Sequence, residues 1–111
     1  FGDILSDQAS EVAGGLGLAG SLNLGPDAVM AQAQHGSAPD IAGQDRANPT
    51  SLVLSLAMLL RHLGETRAAD SIERAIGGCL CDPSTRTGDI GGALGTRAFS
   101  DVLCNRIGSN P

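Results

Sequence analysis

The spacing of apolar residues divides the chain into short strands and longer helices. Residues 3–12 predict a helix with acidic side chains in its first turn, where the helix dipole favours negative charge. Residues 21–24 alternate polar and apolar, and residues 29–34 follow a Pro26-Asp27 turn. This pattern predicts two short strands, followed by an ordered loop over residues 35–48 that is rich in small residues.

The strongest helical signal lies in the middle of the chain. Asn48 suits an N-cap, Pro49 suits the first helical position, and Gly64 stands where such a helix would end. Apolar residues cover nearly the whole circumference between these signals. We therefore expect this helix to be buried on most sides, with Met58 as core filler.

Two more helices are predicted toward the C-terminus. Residues 66–80 form an amphipathic pattern that Asp82-Pro83-Ser84 ends, and Thr96 caps a last helix. The expected inward side chains are Ala68, Ala69, Ile72, Ile76 and Cys79 in the first of these, and Phe99, Val102, Leu103 and Ile107 in the second. Helices thus dominate, with a few short strands.

Composition limits the classes of partner. The 111 residues suit one domain, and an apolar content of 41% argues against disorder. Seven basic and twelve acidic residues give a net charge of −5, so the chain lacks a basic surface for nucleic acid or an anionic membrane. The longest apolar run falls far short of the ~20 residues that a bilayer span requires. We expect neither nucleic acid nor membrane as a partner.

Three cysteines, Cys79, Cys81 and Cys104, and an N-terminus without a signal-like pattern favour a reducing, cytoplasmic location. The Cys79-x-Cys81 pair has no second ligand pair at zinc spacing, so we interpret it as one core residue and one helix-end residue. The chain begins at Phe1 rather than Met, which suggests a piece of a longer polypeptide.

A formal G-x-G-x-x-G occurs at Gly15, Gly17 and Gly20. A dinucleotide-binding fingerprint requires a helix that opens directly after it, so that the diphosphate meets the helix N-terminus. Residues 21–26 cannot form that helix, and we therefore reject a Rossmann interpretation.

Two segments carry candidate chemistry. Asp3 and Asp7 share one helix face at i and i+4, and paired carboxylates suit Mg²⁺ or Mn²⁺, although an acidic first turn in solvent explains the spacing alone more simply. Residues 35–43 combine small residues, which allow a ligand close to the backbone, with His35 for a base and Asp40 for ribose hydroxyls. By composition alone this segment is a polar surface loop.

These segments resemble the β-decarboxylating dehydrogenase family, which includes 3-isopropylmalate, isocitrate, homoisocitrate and tartrate dehydrogenases. The resemblance rests on Phe1-Gly2-Asp3-Ile4-Leu5-Ser6-Asp7, on residues 35–43 and on Ala47-Asn48-Pro49, and it extends through residues 89–92 to the last helix. It implies an α/β fold of which residues 1–111 are a C-terminal fragment, mostly helices with a few short strands.

The resemblance also implies roles for individual residues. Asp3 and Asp7 match metal ligands that hold Mg²⁺ or Mn²⁺ with a third aspartate from the neighbouring subunit of a homodimer. The residues that match the loop around the adenosine half of the cofactor are His35, Gly36, Ser37, Ala38, Asp40, Ile41 and Asn48. Asp40 would accept the ribose hydroxyls and repel a 2′-phosphate, so the implied cofactor is NAD.

The implied reaction is the oxidative decarboxylation of a small 2-hydroxy acid. The family's acid–base pair is a tyrosine and a lysine, and its substrate carboxylates are held by an arginine cluster upstream of this region. The chain has no tyrosine or lysine, so no catalytic residue is assigned and the chain alone is expected to be inactive. The 3-isopropylmalate type is favoured, and the isocitrate and tartrate types stay open: Ser37 looks more like 3-isopropylmalate or tartrate enzymes, whereas residues 43–45 and 59–64 look more like isocitrate enzymes. The alternative is a truncated, non-catalytic relative that binds a partner subunit.

Overall fold

The computed structural model describes residues 4–5 and 16–109. Most of the predicted N-terminal helix over residues 3–12 lies outside the described residues, and so do the two candidate metal ligands, Asp3 and Asp7.

A β-hairpin opens the continuous part of the structure. Strand β1 (Gly20–Leu24) pairs antiparallel with β2 (Val29–Ala33), with Ser21 opposite Gln32, and this confirms the two predicted strands. A short 3-10 turn at Leu16–Leu18 precedes β1. Because a strand rather than a helix follows Gly20, the structure agrees with the rejection of the glycine fingerprint.

Helix α1 (Thr50–His62) lies against the hairpin. Near its start, Asn48 Oδ1 accepts a hydrogen bond from the Thr50 N–H at 3.0 Å, the kind of bond that an N-cap side chain makes. The cap position is Pro49 rather than Asn48, so α1 begins one residue later than predicted. Gly64, with φ of 89°, follows the last turn in the left-handed conformation typical of a helix end.

The predicted burial of α1 on most sides is wrong. Leu52, Leu56 and Met58 are 54%, 44% and 39% exposed, so Met58 does not fill the core. Among the described residues, α1 packs against the hairpin and against the next helix, and the face between these contacts is uncovered.

Two buried serines of α1 fasten the hairpin to the helix. Ser55 Oγ accepts a hydrogen bond from the Ser21 N–H at 2.9 Å and lies 2.7 Å from the Gln32 carbonyl oxygen. One turn earlier, Ser51 Oγ accepts from the Gln34 N–H at 3.0 Å. These hydroxyl groups satisfy backbone groups on both strands where the sheet meets the helix.

Helices α2 (Thr66–Cys81) and α3 (Thr96–Ser109) complete the packing. The buried apolar residues of the core are Ala57, Ala69, Ile72, Ala75, Ile76, Cys79, Phe99 and Leu103. Ala68 is exposed, contrary to prediction, because it lies one residue, or about 100°, around the helix from the buried Ala69. Cys79 is buried and Cys81 is exposed, which agrees with the interpretation of Cys79 as a core residue and of Cys81 as a helix-end residue. Cys104 is also exposed.

An exposed ion-pair cluster joins α1 to α2. Arg61 Nη2 lies 2.9 Å from both Asp70 Oδ1 and Glu73 Oε2, and these bonds raise the pKa of the Arg61 guanidinium. No helix among residues 16–109 has the length and apolar character to cross a membrane.

Candidate cofactor-binding site

The segment that connects β2 to α1, residues 34–49, is called here the β2–α1 loop. Its first residue is held by the hydrogen bond from the Gln34 N–H to Ser51 Oγ, and its end by the bond that Asn48 accepts from Thr50. Both anchors lie on the first turn of α1. The loop is therefore fixed at its two ends by the helix that it precedes.

Small residues give the β2–α1 loop its shape. Ala38 adopts a left-handed conformation with φ of 43°, and its carbonyl accepts the Ile41 N–H at 3.2 Å to form a 3-10 turn over Pro39–Ile41. Gly43, with φ of 75°, reverses the chain where a side chain would be strained. The Gln44 side chain closes the turn by donating from Nε2 to the Asp40 carbonyl at 2.7 Å.

The His35 ring is oriented by its own neighbour. Its Nδ1 lies 2.8 Å from the Gly36 carbonyl oxygen. Because a carbonyl accepts and does not donate, this bond places a proton on Nδ1. In the neutral ring, Nε2 is then left as an acceptor at the exposed edge of the loop.

A second wall of the site comes from the segment before α3. Asn48 Nδ2 donates to Asp89 Oδ2 at 3.0 Å, and Thr87, which is fully buried, donates from its hydroxyl group to the other carboxylate oxygen of Asp89. Asp89 belongs to a 3-10 turn, Gly88–Ile90. The buried hydroxyl and the amide together hold the carboxylate beside the end of the β2–α1 loop.

An open groove of about 430 Å³ lies between these two walls. Of the seven predicted cofactor residues, five line it: His35, Gly36, Ala38, Ile41 and Asn48. Ser37 lines an adjoining groove of about 310 Å³ on the side of α3. Asp40, in the 3-10 turn Pro39–Ile41, is exposed and lines neither groove.

Two charged residues complete the groove and were not predicted as site residues. Arg46 and Asp89 both line it, so the site presents one positive and one negative side chain. Residues 89–92 carried part of the family resemblance, and that signal could have identified Asp89. Arg46 has no such signal beyond its place two residues before Asn48.

The candidate metal site cannot be built from the described residues. Asp3 and Asp7 lie outside them, and residues 16–109 contain no group of three or more His, Cys, Asp or Glu side chains arranged to hold a metal ion.

The chain matches the family described as Isocitrate/isopropylmalate dehydrogenase over residues 1–107. The chain belongs to this family. The family resemblance that the Asp3–Asp7 and His35 segments indicated is thereby confirmed, together with the α/β fold class.

Several named relatives share about half of their aligned residues with this chain. It is 50% identical over 109 residues to NAD isocitrate dehydrogenase subunit 2, mitochondrial, of Kluyveromyces lactis. It is 49% identical to homoisocitrate dehydrogenase and 48% identical to 3-isopropylmalate/3-methylmalate dehydrogenase, both of Methanocaldococcus jannaschii. Each alignment covers 96% of this chain but 30 to 32% of the relative.

The fold agrees with solved members of the family. Isocitrate dehydrogenase from Methylococcus capsulatus superposes with a TM-score of 0.92 at 44% identity, over 96% of this chain and 32% of that one. A β-decarboxylating dehydrogenase from Thermococcus kodakarensis superposes with a TM-score of 0.86 at 39% identity, over 97% and 32%. The chain therefore spans about a third of the length of the family members that it matches.

Proposed function

We propose that this chain forms the adenosine side of the NAD site in an enzyme that oxidises and decarboxylates a 2-hydroxy acid. The observation that carries the proposal is the groove between the β2–α1 loop and Asp89, in a chain of the isocitrate/isopropylmalate dehydrogenase family. Among the relatives, the Kluyveromyces lactis protein is named for NAD.

The groove has the shape and chemistry that an adenosine requires. Its volume of about 430 Å³ falls within the range of small-molecule sites. Ala38 and Ile41 supply apolar surface for the base, and the absence of a side chain at Gly36 leaves space against the backbone, since an added Cβ would meet no atom within 4 Å. Asn48 and Asp89 supply the polar groups that fix the orientation of a ligand.

The charges favour NAD over NADP in this proposal. Asp40 stands exposed one residue before Ile41, which lines the groove, so a 2′-phosphate near this turn would meet a carboxylate. Arg46 provides a cation within the groove for the diphosphate that both cofactors share. NAD, when bound, supplies the hydride acceptor for oxidation of the hydroxyl group.

The proposal assigns metal ligands to this chain but no proton-transfer group. Asp3 and Asp7 would hold Mg²⁺ or Mn²⁺ as paired carboxylates, which is the donor set that such ions prefer. The 111 residues include no tyrosine or lysine, so we assign the chain to cofactor and metal binding and assign no proton transfer to it. A homodimer is part of the same proposal.

The experiment uses the native polypeptide that carries this sequence. Reduction of NAD and of NADP is measured with isocitrate, homoisocitrate, 3-isopropylmalate and tartrate, each with Mg²⁺ or Mn²⁺ and after chelation. We expect one acid to reduce NAD in a metal-dependent reaction, and the identity of that acid assigns the substrate. Failure of all four acids with both cofactors would contradict the proposal.

A charge reversal tests the role of Asp40. Because a lysine would attract rather than repel a 2′-phosphate, Asp40→Lys should shift the ratio of kcat/KM toward NADP by about fivefold or more. Asp27→Lys makes the same charge change in the hairpin turn and should leave the ratio unchanged. An equal shift in both variants would assign the preference to net charge rather than to Asp40.

A further inference from the structure

We propose that Asp45 is a positioning residue that holds the β2–α1 loop in its cofactor-binding shape by fastening it to the N-terminus of α3. The inference rests on the proposed function, since the shape in question is that of the groove. Asp45 does not line this groove, although it lines the adjoining groove together with Ser37. Its effect on a nucleotide held in the groove of about 430 Å³ would therefore be indirect.

Asp45 accepts two hydrogen bonds from the start of α3. Its Oδ1 accepts from the Arg97 N–H at 2.9 Å, and its backbone carbonyl accepts from the Thr96 N–H at 3.1 Å. The first N–H groups of a helix have no partner within the helix, so a residue from another segment can cap them. Asp45 thus caps a helix that begins 51 residues later in the chain.

The local geometry is specific to this contact. Asp45 has φ of 56°, a left-handed conformation that aspartate and asparagine tolerate better than other residues with a Cβ. Gly95 allows the close approach, because a Cβ at that position would lie 2.4 Å from Asp45 Oδ2 and 2.6 Å from its carbonyl oxygen. Thr96 adds a third bond by donating from Oγ1 to the Ala47 carbonyl at 2.5 Å.

The contact between Asp45 and the N-terminus of α3, called here the clamp, adjoins the groove directly. Arg46, Ala47 and Asn48 follow Asp45 without interruption, and all three line the groove. If the clamp opens, these residues lose one of the two supports that place them opposite Asp89. The apparent Kd for a nucleotide then rises in inverse proportion to the fraction of molecules that keep the binding shape.

Three substitutions separate the side-chain bond from the backbone conformation. Asp45→Asn keeps an acceptor oxygen and tolerance of positive φ, Asp45→Gly keeps the φ alone, and Asp45→Ala keeps neither. In the native polypeptide, the Kd for NAD measured by calorimetry should be nearly unchanged in Asp45→Asn. It should rise by about fivefold in Asp45→Gly and by about tenfold or more in Asp45→Ala.

Hydrogen exchange provides a readout that does not depend on NAD. Exchange at the Thr96 and Arg97 amides should quicken in Asp45→Ala and Asp45→Gly, while amides in the middle of α3 keep their protection. Asp101→Ala, which removes an exposed carboxylate from the same helix, serves as the control and should change neither quantity. This pattern separates a local clamp from a general loss of stability.

The outcomes distinguish the two proposals. If the unsubstituted polypeptide binds no NAD, the proposed function fails and this inference fails with it. If it binds NAD and Asp45→Ala binds equally well, this inference alone is overturned. A loss of affinity in Asp45→Asn as large as that in Asp45→Ala would also overturn it, because the carboxylate charge rather than the cap would then be responsible.

Discussion

Asn48 forms hydrogen bonds in two directions, and one of them reaches Asp89, 41 residues further along the chain. Its Oδ1 accepts from the Thr50 N–H at the start of α1, while its Nδ2 donates to Asp89 Oδ2 at 3.0 Å. Asn48 as a whole is 8% exposed. One amide thus joins the end of the β2–α1 loop, the start of a helix and the far wall of the groove.

Replacement of Asn48 by aspartate tests the second of these bonds. Asn48→Asp keeps an oxygen that accepts the Thr50 N–H. It replaces the Nδ2 group that donates to Asp89 with a carboxylate oxygen, which cannot donate. Since two carboxylate groups would then face each other, we expect the free energy of unfolding to fall by about 1 to 3 kcal/mol. Urea unfolding of the native polypeptide measures this change.

The double variant Asn48→Asp/Asp89→Asn is the matched control, because it exchanges donor and acceptor across the same contact. It should recover most of the lost stability, and the coupling follows from a double-mutant cycle. Equal losses in the single and double variants would mean that the Asn48–Asp89 bond contributes nothing specific.

Removal of the Ser55 hydroxyl group should weaken the contact between the hairpin and α1. Ser55→Ala leaves the Ser21 N–H and the Gln32 carbonyl without this buried partner, so we expect a loss of about 1 to 3 kcal/mol. Ser100→Ala is the control, because Ser100 Oγ bonds a carbonyl of its own helix, Thr96, at 2.7 Å. Urea midpoints that fall equally in both variants would contradict the proposed role of Ser55.

The elements of the fold could be predicted because their signals are local. The hairpin follows from alternation around a Pro-Asp turn, and α1 follows from an Asn-Pro start and a glycine end, all within a few residues of the boundaries observed. The burial of individual side chains on α1, in contrast, does not follow from local signals. Leu52 and Leu56 are apolar like the core residues, yet their exposure depends on what packs against α1, which its own pattern does not specify.

The candidate site was predicted in part for the same reason. His35, Gly36, Ala38, Ile41 and Asn48 lie within one loop, so a single segment of sequence identifies them. Asp89 enters the site through a contact between distant segments, and no spacing rule connects it to Asn48. The cap that Asp45 makes on α3 is equally invisible in sequence, because it joins positions 45 and 97.

Gly92 is expected to be intolerant of any side chain. A Cβ there would lie 2.0 Å from the Arg86 carbonyl oxygen, which is backbone and cannot move aside cheaply. Gly92→Ala should therefore lower the free energy of unfolding by about 1 to 3 kcal/mol. Gly88→Ala lies in the same segment with no atom within 4 Å of the added Cβ, and should stay within about 0.5 kcal/mol. Similar losses in the two variants would disprove the steric explanation.

The three cysteines should differ in their reaction with iodoacetamide. Burial raises the pKa of the Cys79 thiol above its ordinary value of 9.0, so the folded state favours the protonated form, which is unreactive. Cys81 and Cys104 are exposed and should be alkylated first, as peptide mass spectrometry would show. Alkylation of Cys79 should await unfolding.

The raised pKa of Cys79 also determines how the free energy of unfolding should change with pH. The stabilisation from neutral Cys79 is fully present below the ordinary thiol pKa and is lost as pH rises through the raised value in the folded state. Stability should therefore decline more steeply in alkaline solution for the unsubstituted protein than for Cys79→Ala, compared by urea unfolding at pH 8 and above. Cys79→Ala removes the buried thiol. If the free energy of unfolding fell equally with pH in both proteins, ionisation of Cys79 would not be coupled to unfolding.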